Sequence, residues 1–453
     1  MLPPSFFRLE ATLKICRVPP AAGRLAALAL ISMLGLRAMA DETPTPQASP
    51  TPAATPAPAP PAMTASIPIR FFANVYLRED WTRLQDKADL LLDGNHVDGL
   101  LTRLRFGMEF KDTSSTVSGG IRVSAGEAPN PASPFVRLGD GFRPVTFGLD
   151  QFYVDVRPFS NKERVHAVLG KMPQPFWRGD KGVIRAEMTW DDDISPVGGT
   201  FHTMLLKHQS NGNVTATLEN VAGYFIVEWF REARFSGLVG DTSLWADQLK
   251  LRVRGITLAG AYYHWQNLNS GARSPSFVPG QSASLLPGQA AFLIRPGFQE
   301  TNGFYDLGSG VYTFRKNEFN IFEATGQGTL PVRLPWLGKT DVVVLGQYAR
   351  NLSFSDERTG VGISLGLVGG DLKRRLKPFS LHGTWRKVEA DAALGTFADS
   401  DLGGGTDVQG FEVTGDYKIH KNFSITASHF HYDGAPLRST RTRRTFLGII
   451  WDF

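Results

Sequence analysis

Between Leu100 and Phe110 the chain alternates with a period of two. Even positions carry Leu100, Thr102, Leu104, Phe106, Met108 and Phe110, while odd positions include Arg103, Arg105 and Glu109. Successive side chains of a β-strand point to opposite faces, so this run makes a ribbon with one oily face and one charged face. Runs of this kind recur near 68–79, 98–111, 116–127, 147–158, 164–173, 197–209, 213–222, 244–254, 256–265, 317–328, 341–351, 358–368, 378–391, 407–419, 422–432 and 441–453, sixteen in all. A water-soluble sandwich also alternates, but its strands run about five or six residues. Most of these runs are ten or longer, the length a tilted strand needs to cross a bilayer. From Ile67 onward no run of eighteen apolar residues occurs, so a spanning helix has no sequence to form from. The pattern predicts an all-β chain, a transmembrane antiparallel β-barrel of sixteen strands.

The connections alternate too. Short polar turns follow the second, fourth, sixth, eighth, twelfth and fourteenth runs, among them KDTSS, SNKE, SNGN, Arg254-Gly255 and HKN. The connection after the tenth run, near Leu330 to Thr340, is longer and holds Pro331 and Pro335. Long connections near 80–97, 128–146, 174–196, 223–243, 266–316 and 392–406 fall on the other side, with shorter ones near 352–357 and 433–440. Short inner turns opposed to long outer loops are the asymmetry of an outer-membrane barrel. That parity places both termini on the inner, periplasmic side.

Residues 1–40 read as a secretory signal peptide. Arg8, Lys14, Arg17 and Arg24 precede the apolar run Leu25 to Leu36, and Ala38-Met39-Ala40 supplies a small-residue cleavage site. Cys16, the single cysteine, lies in this leader, which leaves no disulfide framework behind it. Residues 41–66 follow, with eight prolines between residues 41 and 63, and are expected to form an extended tether rather than a core. Residues 67–453 hold the barrel. The leader holds five of the chain's 48 basic residues and one of its 43 acidic ones. The remainder is then close to neutral, which excludes nucleic-acid binding as the reason for a net charge of +5.

The segment Met172 to Gly199, MPQPFWRGDKGVIRAEMTWDDDISPVGG, is far too long for a tight turn. Arg178, Asp180, Lys181, Arg185, Glu187, Asp191, Asp192 and Asp193 crowd into it, with Trp177 and Trp190 between them. Ordering so charged a loop is costly unless surrounding groups answer its charges; the bland alternative is a solvated loop. Asp191-Asp192-Asp193 lacks the ligand spacing of a calcium loop, so no metal is assigned. Alternation turns Arg103, Arg105, Arg122, Arg157, Lys250, Arg252 and Arg254 toward the lumen. At the carboxyl end Leu447, Ile449, Trp451 and Phe453 share one face. A terminal aromatic on such a strand resembles the signal by which bacterial barrel-assembly machinery recognises its clients.

Three stretches, LTRLRFGMEFKDTSSTVSGGIRVSAGE, GKMPQPFWRGDKGVIRAEMTWDDDISPVGGT and EADAALGTFADSDLGGGTDVQGFEV, make the chain similar to the bacterial putative-porin family of outer-membrane channels. The resemblance implies passive diffusion of small hydrophilic solutes and ions through a water-filled pore. It also implies that the third outer loop, about 173–196, folds inward as the constriction, facing the basic wall, and that the barrel sits in outer-membrane lipid as a homotrimer, without a cofactor. Two other classes are weighed. An outer-membrane barrel hydrolase needs a nucleophile and base, yet the nine histidines are scattered, and no serine-centred motif accompanies His429 and His431, which share a face. A surface adhesin would act through the 266–316 loop.

Overall fold

The computed structural model describes residues 69–86, 95–111, 116–125, 135–138, 147–158, 164–180, 184–228, 241–269, 304–306, 312–335, 337–371, 376–401, 405–434 and 440–453, together with residues 145 and 302. The leader and the tether expected at 1–66, Lys181, and most of the 266–316 loop lie outside the described residues.

In chain order the strands are β1 (Ile69–Asp86), β2 (Asn95–Lys111), β3 (Val117–Ala125), the two-residue β4 (Val136–Arg137), β5 (Phe147–Val156), β6 (Val165–Lys171), β7 (Val197–Ser210), β8 (Asn213–Glu228), β9 (Thr242–Val253) and β10 (Ile256–Gln266). Then come β11 (Phe304–Asp306), β12 (Tyr312–Phe314), β13 (Phe319–Leu334), β14 (Gly338–Asn351), β15 (Thr359–Asp371), β16 (Leu376–Val388), β17 (Val408–His420), β18 (Phe423–Gly434) and β19 (Thr440–Asp452). Setting aside β4, which pairs with β2, and the small β11–β12 hairpin, sixteen strands join in one closed antiparallel ring. Closure is made by β1, which pairs with β2 on one edge and β19 on the other; Asn74 faces Arg105 and Asp452 at once. Phe453 N donates to Ala73 O at 2.9 Å and extends the seam to the last residue. In hydrocarbon an unpaired strand edge has no water to bond, so closure is what lets this sheet span lipid.

The outward face is apolar over a defined height. Phe71 and Trp81 both point outward on β1, ten residues apart. That is about 33 Å of strand and, at a tilt near 40°, about 25 Å of height, the thickness of an outer-membrane apolar band. Aromatic rings mark both margins. Tyr417, Trp451 and Phe453 are exposed at the short-turn end, and Trp81, Tyr224, Trp245, Trp385 and Phe411 at the long-loop end. Both ends of the described chain lie at the short-turn end, since Asn74 pairs with Asp452.

Local chemistry fixes the turns. In SNGN, Asn211 and Gly212 take φ of 53° and 77°, the left-handed pair that a two-residue hairpin between twisted strands requires. The expected end of the tenth run near residue 328 is corrected: β13 continues through Pro331 to Leu334, opposite β14. The reason is that β10 stops at Ile256, paired with Gly328, and Thr329 N makes the last bond to that side, to Gly255 O at 2.8 Å. Two residues on, the backbone nitrogen of Pro331 faces an edge with no neighbour, so its missing N–H costs no ladder bond.

Gly198 shows why the WDDD motif ends in a glycine pair. A Cβ there would lie 2.1 Å from Tyr224 O and 2.8 Å from Phe225 Cα. Gly198→Ala should destabilise the β7–β8 pairing by about 1–3 kcal/mol, read as a lower temperature for the gel-mobility shift from folded to unfolded barrel. An unchanged transition would show that the contact relaxes freely.

Candidate functional site

Fixing a segment of roughly twenty-five residues costs on the order of 25 kcal/mol in backbone entropy, so the residues after β6 need many anchors. They find them around the whole ring. Trp177 N donates to Gln248 Oε1 on β9 at 2.7 Å, and Gln248 Nε2 donates back to Trp177 O at 2.9 Å. Gln327 on β13 holds Asp180 in the same two-sided way, at 3.0 and 2.8 Å. Thr189 donates to the buried Glu323 of β13, which also accepts from Gln347 Nε2 of β14 at 3.0 Å. On the other flank Asp193 pairs with Arg103 at 2.8 Å and Arg105 at 2.9 Å, both on β2. A segment that touches β2, β9, β13 and β14 together lies across the inside of the ring.

Trp190 is the apolar anchor. Its ring lies 5.6 Å from Trp265, 5.9 Å from Phe397, 6.0 Å from Tyr263 and 6.2 Å from Phe176. Met172, Phe225, Leu244, Phe319 and Ile321 complete a core with no more than 1% of each exposed. Burial of each large ring is worth about 2–3 kcal/mol. This core fills part of the lumen on the β8–β14 side.

Phe397 belongs to a second inward loop, residues 389–407, whose role the sequence pattern did not reveal. It carries a short 3₁₀ turn, Gly395–Phe397, and Ala390 to Phe397 are buried. The two loops bond directly: Asp191 N donates to Phe397 O at 2.7 Å, Asp399 N to Glu187 O at 3.0 Å, and Ser400 N to Asp191 Oδ2 at 2.8 Å. Asp399 is held from the wall by Arg386 at 2.6 Å. Asp401 pairs with Arg78 of β1 at 3.3 Å and Arg444 of β19 at 3.1 Å.

The residues expected at the constriction therefore divide. Asp191 is a buried bracket between the loops, and Asp193 is a brace to the β2 wall. Asp192 takes Arg178 at 2.7 Å and also Arg185, which lies 3.9 Å from Glu187. Asp180 pairs with Arg252 at 3.0 Å. Among the wall residues, Arg122 meets Asp150 at 2.6 Å and Arg105 meets it at 3.4 Å. Asp150 reaches the lumen through a register irregularity against β3, a break in alternation that hid it. Arg157 pairs with Asp155 at 2.7 Å and Lys250 with Glu219 at 2.7 Å. Arg254 stands in the two-residue turn with φ of 53°, off the strand face. Leu447, Ile449, Trp451 and Phe453 are outward and exposed, the last two rings stacked at 4.7 Å.

A cavity of about 290 Å³ lies between the first loop and the wall made by β1, β2 and β16–β19. Arg78, Arg103 and Arg185 line it, against Glu187, Asp191, Asp192, Asp193, Asp399, Asp401, Glu412 and Asp416, with Tyr76, Phe135, Phe430 and Phe446 between. Burial drives Asp191 well above the usual carboxylate range, with Asp193 and Glu187 adding to it. Burial also pushes Asp193 up, but Arg103 and Arg105 overcome it and hold Asp193 at about 2. Arg78 and Arg444 likewise outweigh burial at Asp401 and lower it.

A family model described as "Putative porin" matches residues 93–330 and 335–434. The chain belongs to this putative-porin family. No curated protein matches it. Among solved structures, the high-pH form of Pseudomonas putida OprB is 10% identical, aligned over 85% of this chain and 94% of that one with a TM-score of 0.50. A triple mutant of the Rhodopseudomonas blastica porin is 12% identical over 85% and 100%, with a TM-score of 0.42. Salmonella typhi OmpF in complex with daunomycin is 8% identical over 85% and 97%, with a TM-score of 0.46. Family and barrel together make this chain an outer-membrane porin.

Within this porin, burial and then the Asp399 carboxylate push Glu187 up to about 7. An acid whose pKa is raised on folding is neutral below that value; the barrel carries the cost of its ionisation above about 7 and sheds it as pH falls toward the ordinary carboxylate value. Between pH 8 and 6 the pore should lose negative charge, measured as a shift of the reversal potential in a salt gradient toward anions. Glu187→Gln should flatten that change; a variant with the full pH dependence would assign it to another group.

Proposed function

We propose that solutes pass by diffusion through the off-centre opening beside the first loop, and that its charge favours small hydrophilic cations over anions. The observation that carries this is at Glu412 and Asp416, two carboxylates of the lining with no guanidinium partner among the described residues. Arg103 and Arg105 answer Asp193, Arg178 and Arg185 answer Asp192, Arg78 and Arg444 answer Asp401, and Arg386 answers Asp399. Glu412, by contrast, has only His382 at 3.5 Å, and Asp416 accepts from Ser380 Oγ at 2.8 Å with no cation within ion-pair distance among the described residues. These two lumen positions on β17 lie below the loops and face moving ions. Glu412→Gln and Asp416→Asn should each lower the potassium-to-chloride permeability ratio by about twofold, the ~0.5 kcal/mol that one charge exerts across 8 Å of water. Reversal potentials that stay put in both variants would sink the cation reading.

The same reading places the long loops outside the cell and both ends of the barrel in the periplasm, after the leader at 1–40 and the tether at 41–66. Entry into the membrane then passes through the assembly machinery, with Phe453 and Trp451 as the outward signal on the closing strand. Phe453→Asp should reduce the heat-modifiable species in outer-membrane fractions severalfold while export continues; normal amounts would show that the terminal ring is no signal. Migration of the unheated wild-type band on the same gel also tests assembly of three copies, which the family resemblance implies.

A further inference from the structure

Two of the histidines scattered along the sequence meet in the barrel. His166 of β6 lies directly opposite His202 of β7 in the strand register. Their rings stack with centroids 4.3 Å apart and planes 15° from parallel. Both side chains turn to the lumen. His166 shares its face with Val168, which packs against the Trp190 core, and His202 alternates with the exposed Phe201. His166 is the second residue of its strand, so the pair stands near the short-turn end.

Each ring is fixed through one nitrogen. His166 Nδ1 lies 3.0 Å from Asp155 Oδ1 on β5, an acceptor that puts the proton on Nδ1 and the lone pair on Nε2. Thr200 Oγ1 donates to Met172 Sδ at 3.6 Å and lies 3.1 Å from His202 Nε2. With its one proton directed at sulfur, the hydroxyl accepts from Nε2–H, and the lone pair of His202 sits on Nδ1. Each imidazole is thus held in place with its basic nitrogen outside these bonds. The cations on this part of the wall are answered separately, Arg157 by Asp155 at 2.7 Å and Lys250 by Glu219 at 2.7 Å.

A neutral imidazole whose other nitrogen donates to a carboxylate or a similar acceptor is the form in which histidine ligates a metal ion. Metal–nitrogen bonds of about 2.0–2.1 Å put two neighbouring ligand nitrogens about 3 Å apart, within reach of rings already 4.3 Å centre to centre. Among the described residues no group of three or more His, Cys, Asp or Glu gathers to hold a metal, so two protein ligands are what this wall offers. Imidazole suits copper, zinc and nickel, and of the divalent first-row ions copper binds a nitrogen site most tightly. We propose that His166 and His202 form a two-histidine site for a divalent transition-metal ion, copper(II) foremost, with water in the remaining positions and Asp155 as the positioning residue behind His166. The site shares no residue with the lining of the cavity and does not depend on its charge preference.

The test titrates the full chain, folded in detergent, with copper(II) chloride in a non-coordinating buffer, and reads the ion kept after desalting by electron paramagnetic resonance. The background carries His429→Gln and His431→Gln, which remove a second histidine pair on the outward face of β18. In that background one copper per chain should remain, with two nitrogens in its coordination plane. His166→Asn and His202→Asn should each weaken retention by about tenfold or more, and Asp155→Asn by about tenfold, through the lost orientation of His166. Full retention by the folded His166→Asn and His202→Asn chains would mark an adventitious ion only and overturn the proposal. Should those chains fail to fold, the spectrum of the background protein still decides, since no bound copper, or copper with fewer than two nitrogens, overturns it as well.

Discussion

A strand cannot leave its backbone groups unpaired in hydrocarbon, and the β1–β19 seam is where this chain meets that condition. Every other feature follows from it. Once the sheet is a ring, the apolar face must turn to lipid, and arginines, glutamines and carboxylates are driven inward together. The interior then holds more charge than water alone would settle, and the two inward loops answer it. Asp193 meets Arg103 and Arg105, Asp399 meets Arg386, and Asp401 meets Arg78 and Arg444.

The interior is therefore built as two unlike halves. On the β8–β14 side the loops rest on rings and aliphatic chains around Trp190, with Gln248, Gln327 and Gln347 accepting from the backbone N–H groups of Trp177, Asp180 and Met188. On the side of β1, β2 and β16–β19, ion pairs and open space remain. A bare loop of that length would collapse against any wall; the aromatic cluster selects which wall, and so fixes where the opening is left.

Most of the ring was legible in the sequence because alternation is a direct print of the two faces of a strand. The break at Asp150 was not, since a bulge shifts the phase by one residue and the eye reads a continuous period. Pro331 misled for a related reason, as a proline in a strand is tolerated wherever the neighbouring strand has already stopped. The loop from Met172 to Gly199 announced itself by charge, but sequence alone could not divide Asp191, Asp192 and Asp193 into a bracket, a clamp and a brace. The second loop stayed hidden because its buried run of alanines, leucine and glycine carries little charge and no period. Neutral glutamines on three different strands likewise leave no local mark of a shared partner.

The cavity wall draws on Tyr76 and Arg78 near the beginning of the barrel, Arg103 on the second strand, and Phe446 and Ile450 on the last. Those strands become neighbours only when the ring zips shut. An unzipped sheet has no completed cavity, because two sides of its wall still belong to opposite ends of the polypeptide. The cavity in this molecule is thus a property of the finished cylinder: the same final pairing that seals the backbone from lipid also brings the two sides of its wall together.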